Sequence, residues 1–268
     1  MSSSVESSPT GRPCFLTVDG KRLEVDRGTY LLEAARRAGI AIPTLCHHEA
    51  VEAWGGCRLC LVEITKTSWD GWSKLVTACL YPAEPDLIVK TGSPRVLAAR
   101  RVVLDLLLAR CPEAPLIQRL AAEHGIETTS YRPTPPEKRD DCILCGLCTR
   151  ICDAIGCSAI SSASRGAGRE IAPPFHGPPP DCIGCLACAL SCPTQCIAYE
   201  QKDGVRHIWQ AEFEMVRCGC YGEPQLTKAQ VAHYARRSGL PESYFGTCDR
   251  CKKADTARKL EEVRAAMR

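Results

Sequence analysis

The sequence predicts an α+β chain assembled from small modules that metal ligands hold together. Three observations carry that reading. An apolar–polar alternation around Asp19-Gly20 leads straight into a helical pattern. Eight cysteines fall in two near-copies of one run, Asp141-Cys142 to Cys152 and Asp181-Cys182 to Cys192. Twenty cysteines stand among 268 residues, far above an ordinary enzyme core. Such a content leaves a disulfide-rich secreted protein or a reduced metalloprotein. The first residues, Met1-Ser-Ser-Ser-Val-Glu-Ser-Ser, lack the apolar stretch of a secretory signal, and the chain is longer than typical disulfide scaffolds. The cysteines are therefore read as reduced ligands in the cytoplasm. No apolar run reaches the ~20 residues of a membrane span. A net charge of +3 without a long basic tract gives no case for nucleic acid.

Each element follows in order. Residues 1–12 are Ser-rich and are expected to be disordered. Residues 13–92 form the first module. Its alternation from Cys14 to Val25 around Asp19-Gly20 is a hairpin signal. Thr29 is expected to cap a helix from Tyr30 to Arg37, closed by Gly39. Two strands, a helix and then a cysteine loop predict a β-grasp ferredoxin-like domain. Residues 93–138 read as a helical linker. Ser93-Pro94 opens a helix with Val96, Leu97, Val103, Leu104, Leu107 and Leu108 on its apolar face. A shorter helix, Leu116 to His124, closes at Gly125, and the Pro-rich Tyr131 to Glu137 is a stiff connector. Residues 139–204 hold the duplicated run, with Ser161 to Pro180 as a surface loop between its halves. Residues 205–268 form a Cys-rich tail, with a helical stretch from Thr227 to Arg237 and an amphipathic helix from Ala254 to Met267.

The cysteine spacings suggest the chemistry. Cys46-x10-Cys57-x2-Cys60-x18-Cys79 suits a [2Fe–2S] cluster, with three thiolates on one loop and a fourth from a later strand. Gly55 and Gly56 would let the backbone approach the sulfides. Buried free thiols or a zinc site compete with this reading. His47 and His48 are read as hydrogen-bonding or surface residues, since four thiolates suffice.

From Pro43-Thr44-Leu45-Cys46-His47-His48 and Trp54-Gly-Gly-Cys-Arg-Leu-Cys-Leu-Val-Glu63, the chain resembles a known family. It is the family of the large peripheral iron–sulfur subunit of respiratory complex I. Iron-only hydrogenases and the diaphorase iron–sulfur subunits of NAD-reducing hydrogenases carry the same amino-terminal domain. The resemblance covers about Cys14 to Tyr199. It implies that Cys46, Cys57, Cys60 and Cys79 ligate a [2Fe–2S] cluster. Relatives usually add His-x3-Cys-x2-Cys-x5-Cys after the linking helix, holding a further cluster. Here that stretch offers only Cys111, so no cluster is expected there, and His124 reads as a helix-end residue.

The duplicated C-x2-C-x2-C-x3-C is the run that holds [4Fe–4S] cubes in two-cluster ferredoxins, the fourth cysteine crossing to the other cube. Applied here, Cys142, Cys145 and Cys148 pair with Cys192, and Cys182, Cys185 and Cys188 with Cys152. Zinc is the competing metal, and tandem repetition favours clusters. Cys157 and Cys196 read as small residues packed against the clusters. Asp153 stands where Pro193 follows the other run; its carboxylate would lower a cluster potential unless turned to solvent. In the tail, Cys218, Cys220, Cys248 and Cys251 suit one Zn²⁺, with another [4Fe–4S] cluster as the alternative.

No G-x-G-x-x-G follows a strand, and neither a P-loop nor a Ser/His/Asp constellation is present. The expected role is an electron-transfer subunit of a multi-subunit oxidoreductase. It would relay between a flavin- or NAD(P)-binding partner and a catalytic subunit such as a hydrogenase or formate dehydrogenase, reaching a membrane only through partners. A free-standing redox sensor or partner-binding protein is the alternative.

Overall fold

The computed structural model describes residues 13–138 and 140–267, so the disorder expected of residues 1–12 lies outside the described residues. The chain is a mixed α+β protein in two compact units, one ending at Leu147 and the other starting at Cys148. Among the described residues no helix is long and apolar enough to cross a membrane.

The first unit begins with the expected hairpin, β1 (Pro13–Val18) against β2 (Lys21–Asp26). Asp19 and Gly20 take φ of 47° and 81°, the left-handed pair that a two-residue hairpin turn needs. Helix α1 (Leu31–Arg37) and strands β3 (Leu61–Thr65), β4 (Lys74–Thr77) and β5 (Leu87–Lys90) complete the domain. The sheet order is β2-β1-β5-β3-β4, with β1 parallel to β5 and the other pairs antiparallel. Leu16, Val18, Leu31, Leu32, Val62, Ile64, Leu87 and Val89 fill the core. Each such side chain contributes about 1.5–3 kcal/mol on leaving water. Thr29 does not cap α1. Tyr30 is the N-cap and makes no side-chain cap bond, because the chain here is already paired: Thr29 O accepts from Ala83 N at 2.7 Å.

Helix α2 (Pro94–Arg110) starts as expected, with Ser93 Oγ accepting from Val96 N at 3.3 Å. Its buried stripe is narrower than the apolar pattern suggests. Val96, Arg100, Leu104 and Leu108 recur once per turn, while Leu97 is 47% exposed. Arg100 fits that stripe because its guanidinium donates to Leu61 O of β3 at 2.8 Å. Helix α3 (Pro115–Glu123) follows, and His124 caps it, its Nδ1 2.9 Å from Leu120 O.

In the second unit α4 (Leu147–Ile155) and the short α5 (Ala187–Leu190) each carry cysteines of one run. The segment between them is not wholly loop: β6 (Ser161–Ala163) and β7 (Glu170–Ala172) pair as a small hairpin. The following residues form an unforeseen antiparallel sheet of β8 (Tyr199–Lys202), β9 (Val205–Ile208), β10 (Ala211–Arg217) and β11 (Pro224–Thr227), in the order β11-β10-β9-β8. Helices α6 (Lys228–Ser238), α7 (Glu242–Phe245) and α8 (Asp249–Ala266) end the unit. Helix α8 begins five residues before the expected Ala254, with Cys248 as its N-cap. None of its residues is buried.

Candidate metal centres

Cys46, Cys57, Cys60 and Cys79 come together in the first unit. Cys46, Cys60 and Cys79 are each 1% exposed and Cys57 is 9% exposed. They group as two pairs. Cys60 and Cys79 Sγ lie 3.4 Å apart, and Cys57 N donates to Cys46 Sγ at 3.4 Å. The hydrogen bond with Cys46 lowers the Cys57 thiol to about 5, and the one with Cys79 lowers Cys60 to about 7. Cys46 and Cys79 rise in exchange, each holding the shared proton. Metal binding needs the thiolate, so two of the four are primed to deprotonate. Backbone N–H groups of Gly56 and Cys57 point at Cys46, and those of Leu59, Leu45 and Cys46 at Cys57. Gly55 makes the loop possible: its φ is +65°, and a Cβ there would sit 2.4 Å from Leu80 Cδ1. Two buried pairs of thiols, lined by amide donors, fit a cluster of two irons, each bound by two thiolates. His48 Nδ1 is occupied by Ala50 N at 3.1 Å.

The duplicated runs repeat one backbone. Leu144 and Gly184 stand two residues after the first cysteine of each run, and Gly146 and Leu186 four residues after it. All four have left-handed φ, between 52° and 66°. Cys142 and Cys145 end the first unit, where Arg110 Nε donates to Cys142 O at 2.6 Å. Cys148 is buried in the first turns of α4, and Cys192 follows α5 in the second unit. Cys192 Sγ lies 3.5 Å from Cys196 Sγ and 3.5 Å from Thr194 Oγ1, and these bonds hold its thiol down at about 5.

Cys152, Cys182, Cys185 and Cys188 line one cavity of the second unit, the set read for the second cube. Ile155, Ile160, Ile183, Leu186, Ile208 and Trp209 form its apolar walls, and Cys157 shares the lining. Burial raises the Cys152 and Cys182 thiols and pushes Cys188 up to about 11. Ala159 N donates to Cys152 Sγ at 3.3 Å and Gly184 N to Cys182 Sγ at 3.4 Å. Four thiols around an apolar cavity, with N–H groups aimed at sulfur, fit a cubane. Asp153 is exposed, so its carboxylate is turned to solvent.

The tail cysteines also converge. Sγ atoms of Cys218, Cys220 and Cys251 lie within 4.8 Å of one another, and Cys218 and Cys251 are 3.7 Å apart. Cys248 accepts from Cys251 N at 3.4 Å and hydrogen-bonds the Cys218 and Cys251 thiols. Backbone N–H groups, Cys248's first, lower Cys218 to about 6.

Residues 11–94 match the family described as 2Fe-2S iron-sulfur cluster binding domain. The chain is 32% identical to an NADP-reducing hydrogenase subunit of Solidesulfovibrio fructosivorans, across 73% of this chain and 37% of the relative. It is 30% identical to the mitochondrial NADH-ubiquinone oxidoreductase 78 kDa subunit of Neurospora crassa, across 58% of this chain and 24% of the relative. It thus spans between about a quarter and a little over a third of the length of these curated relatives. In the crystal structure of NAD+-reducing [NiFe]-hydrogenase in the H2-reduced state, one chain superposes with a TM-score of 0.53 at 30% identity. The match covers 60% of this chain and 75% of that one. The chain belongs to this iron–sulfur subunit family.

Within the family frame Cys111 stands apart. It is wholly buried at the C-cap of α2, and burial pushes its thiol up to about 12. Cys14 likewise packs in the core of the first unit. Two site residues gave no signal in the sequence. Arg206 Nη1 donates to Gly184 O at 2.7 Å, inside the Cys182–Cys185 loop. Trp209 Nε1 donates to Cys188 Sγ at 3.5 Å. The loop carbonyl of Ile183 is held by Thr227 Oγ1 at 2.6 Å.

Proposed function

We propose that this chain is an iron–sulfur electron-transfer subunit of a multi-subunit oxidoreductase. It relays electrons between a flavin- or NAD(P)-binding partner and a catalytic subunit, of the hydrogenase or formate dehydrogenase kind. The observation that carries this reading is the gathering of two four-thiol sets, Cys46/Cys57/Cys60/Cys79 and Cys152/Cys182/Cys185/Cys188, in a chain of this family.

The first set suits one [2Fe–2S] cluster, and the sheet order around it supports a β-grasp domain. The second set suits one [4Fe–4S] cluster. The repeated left-handed backbone supports a matching one on Cys142, Cys145, Cys148 and Cys192. Such clusters supply one-electron transfer when bound. The chain's own residues bury the thiolates, exclude water and place amide donors against sulfur, which sets the potentials.

The tail set suits Zn²⁺ over a further cluster. Tetrahedral zinc with Zn–S bonds of about 2.3 Å spaces its sulfurs about 3.8 Å apart. The 3.7 Å between Cys218 and Cys251 matches that spacing. A cube binds each thiolate to a different iron and holds them wider.

Affinity purification of the tagged chain from its native host under anaerobic conditions tests the assignment. Co-elution of flavin- or NAD(P)-binding and catalytic subunits is expected. A chain that elutes alone, with clusters loaded, contradicts the subunit role and favours a free-standing sensor.

A further inference from the structure

The sheet β8–β11, which follows the duplicated runs, meets the second thiol set at two points. The first is Trp209. The turn joining β9 to β10 has only two residues between the paired Ile208 and Ala211. Both are left-handed, Trp209 at φ 52° and Gln210 at φ 61°. Such turns favour Gly, Asn or Asp, and a bulky aromatic residue there strains the backbone. That conformation places the indole against the cysteine cavity and its Nε1–H on Cys188 Sγ at 3.5 Å. Phenylalanine in the same place would fill the space without the donor.

The second is Arg206, which is 8% exposed. Its guanidinium donates to Gly184 O at 2.7 Å, to Gln230 Oε1 at 3.1 Å, and through Nε and Nη2 to Gln201 Oε1 at 3.1 and 2.7 Å. Every one of these acceptors is a neutral oxygen. A buried cation without a carboxylate needs another source of negative charge. Burial, the larger effect, holds the Arg206 guanidinium below its usual range, and Cys185, on the loop that Arg206 grips, works the other way and favours its charge. The grip is rigid, since Gln230 also closes the capping box of α6 with Thr227.

We propose that Trp209 and Arg206 set, by raising it, the reduction potential of the [4Fe–4S] group held by Cys152, Cys182, Cys185 and Cys188. The inference rests on the two-cluster reading above. A cubane with four thiolates carries a 2− charge when oxidised and 3− after accepting one electron from a one-electron donor, with no proton taken up. A sulfur-directed N–H and a buried cation both favour the more negative form. The sheet is thereby an electrostatic setting for one cluster of the pair, making that cluster the better electron acceptor.

Anaerobic redox titration with dithionite and mediators, read by EPR on the full-length iron-loaded chain, tests this. W209F is expected to keep its iron and sulfide and to shift one of the two [4Fe–4S] titrations to lower potential. At a fixed poise its reduced-to-oxidised ratio should fall about fivefold, as for loss of one ordinary hydrogen bond. R206Q should shift the same titration downward, and R206K, which keeps the charge, should restore most of it. Fully loaded W209F and R206Q titrating with the wild type would overturn the proposal. If one variant sheds iron, the others decide; loss from all three would make these contacts structural and overturn it too. Wild-type chain with iron for a [2Fe–2S] cluster alone would instead overturn the two-cluster reading.

Discussion

Gly55 and Gly56 stand side by side before Cys57, yet the structure gives them different work. Gly55 is buried with φ +65°; Gly56 has no such constraint, and a Cβ on it would meet the exposed Trp54 ring at 2.4 Å. Trp54 can move, whereas the Gly55 backbone cannot change without moving the thiols. G55A is therefore expected to destabilise the first domain by about 1–2 kcal/mol and to speed loss of the [2Fe–2S] signal. G56A should cost less than half as much. Urea unfolding followed by visible circular dichroism checks both, and a larger loss for G56A would contradict the assignment. At this scale the sequence was most legible where chemistry repeats at fixed spacing. The cysteine sets could be read because ligand spacing is local. Arg206 and Trp209 could not, because their contacts to Gly184 and Cys188 cross more than twenty residues and leave no periodic mark.

Elements were legible where turn chemistry and alternation agreed. Asp19-Gly20 set the first hairpin, and Ser93-Pro94 set the start of α2. Asp203-Gly204, flanked by Tyr199–Lys202 and Val205–Ile208, carries the same hairpin signal and marks β8–β9. Strand β8 is wholly exposed and polar and β9 buries Arg206 alongside Ile208, so the apolar alternation there is weak. Thr29 looked like a cap because it precedes an apolar run; strand-like pairing to Ala83 overrode that preference. Helix α8 starts at the N-cap Cys248, carries Cys251 in its first turn and has no buried residue, so packing does not hold that turn in place. The gathering of Cys218, Cys220 and Cys251 and the cations of Arg250 over Tyr221 and Lys252 over Tyr244 act there instead. Removing the proposed zinc, or C251S, should leave α8 frayed and cut by trypsin at Arg250, Lys252 and Lys253 at least tenfold faster. Gel analysis of limited digests checks this. Unchanged protection after metal loss would show that the metal does not staple the helix.

For the whole molecule, the electron-transfer reading stands on how many centres the chain can hold. The two compact units contain thiol sets of distinct geometry: paired thiols in an apolar core, four thiols around an apolar cavity, and three tail thiols within 4.8 Å of one another. The sequence indicated these three sets and a fourth on Cys142, Cys145, Cys148 and Cys192, while the separation into units at Leu147 and Cys148 fell inside the first duplicated run, where composition gives no boundary. Iron, sulfide and zinc analysis of anaerobically purified chain, with EPR of the reduced protein, puts the account at greatest risk. It predicts about ten irons, about ten sulfides and one zinc per chain, with [2Fe–2S] and [4Fe–4S] signals together. About two irons with only a [2Fe–2S] signal, in protein kept free of oxygen throughout, would contradict it.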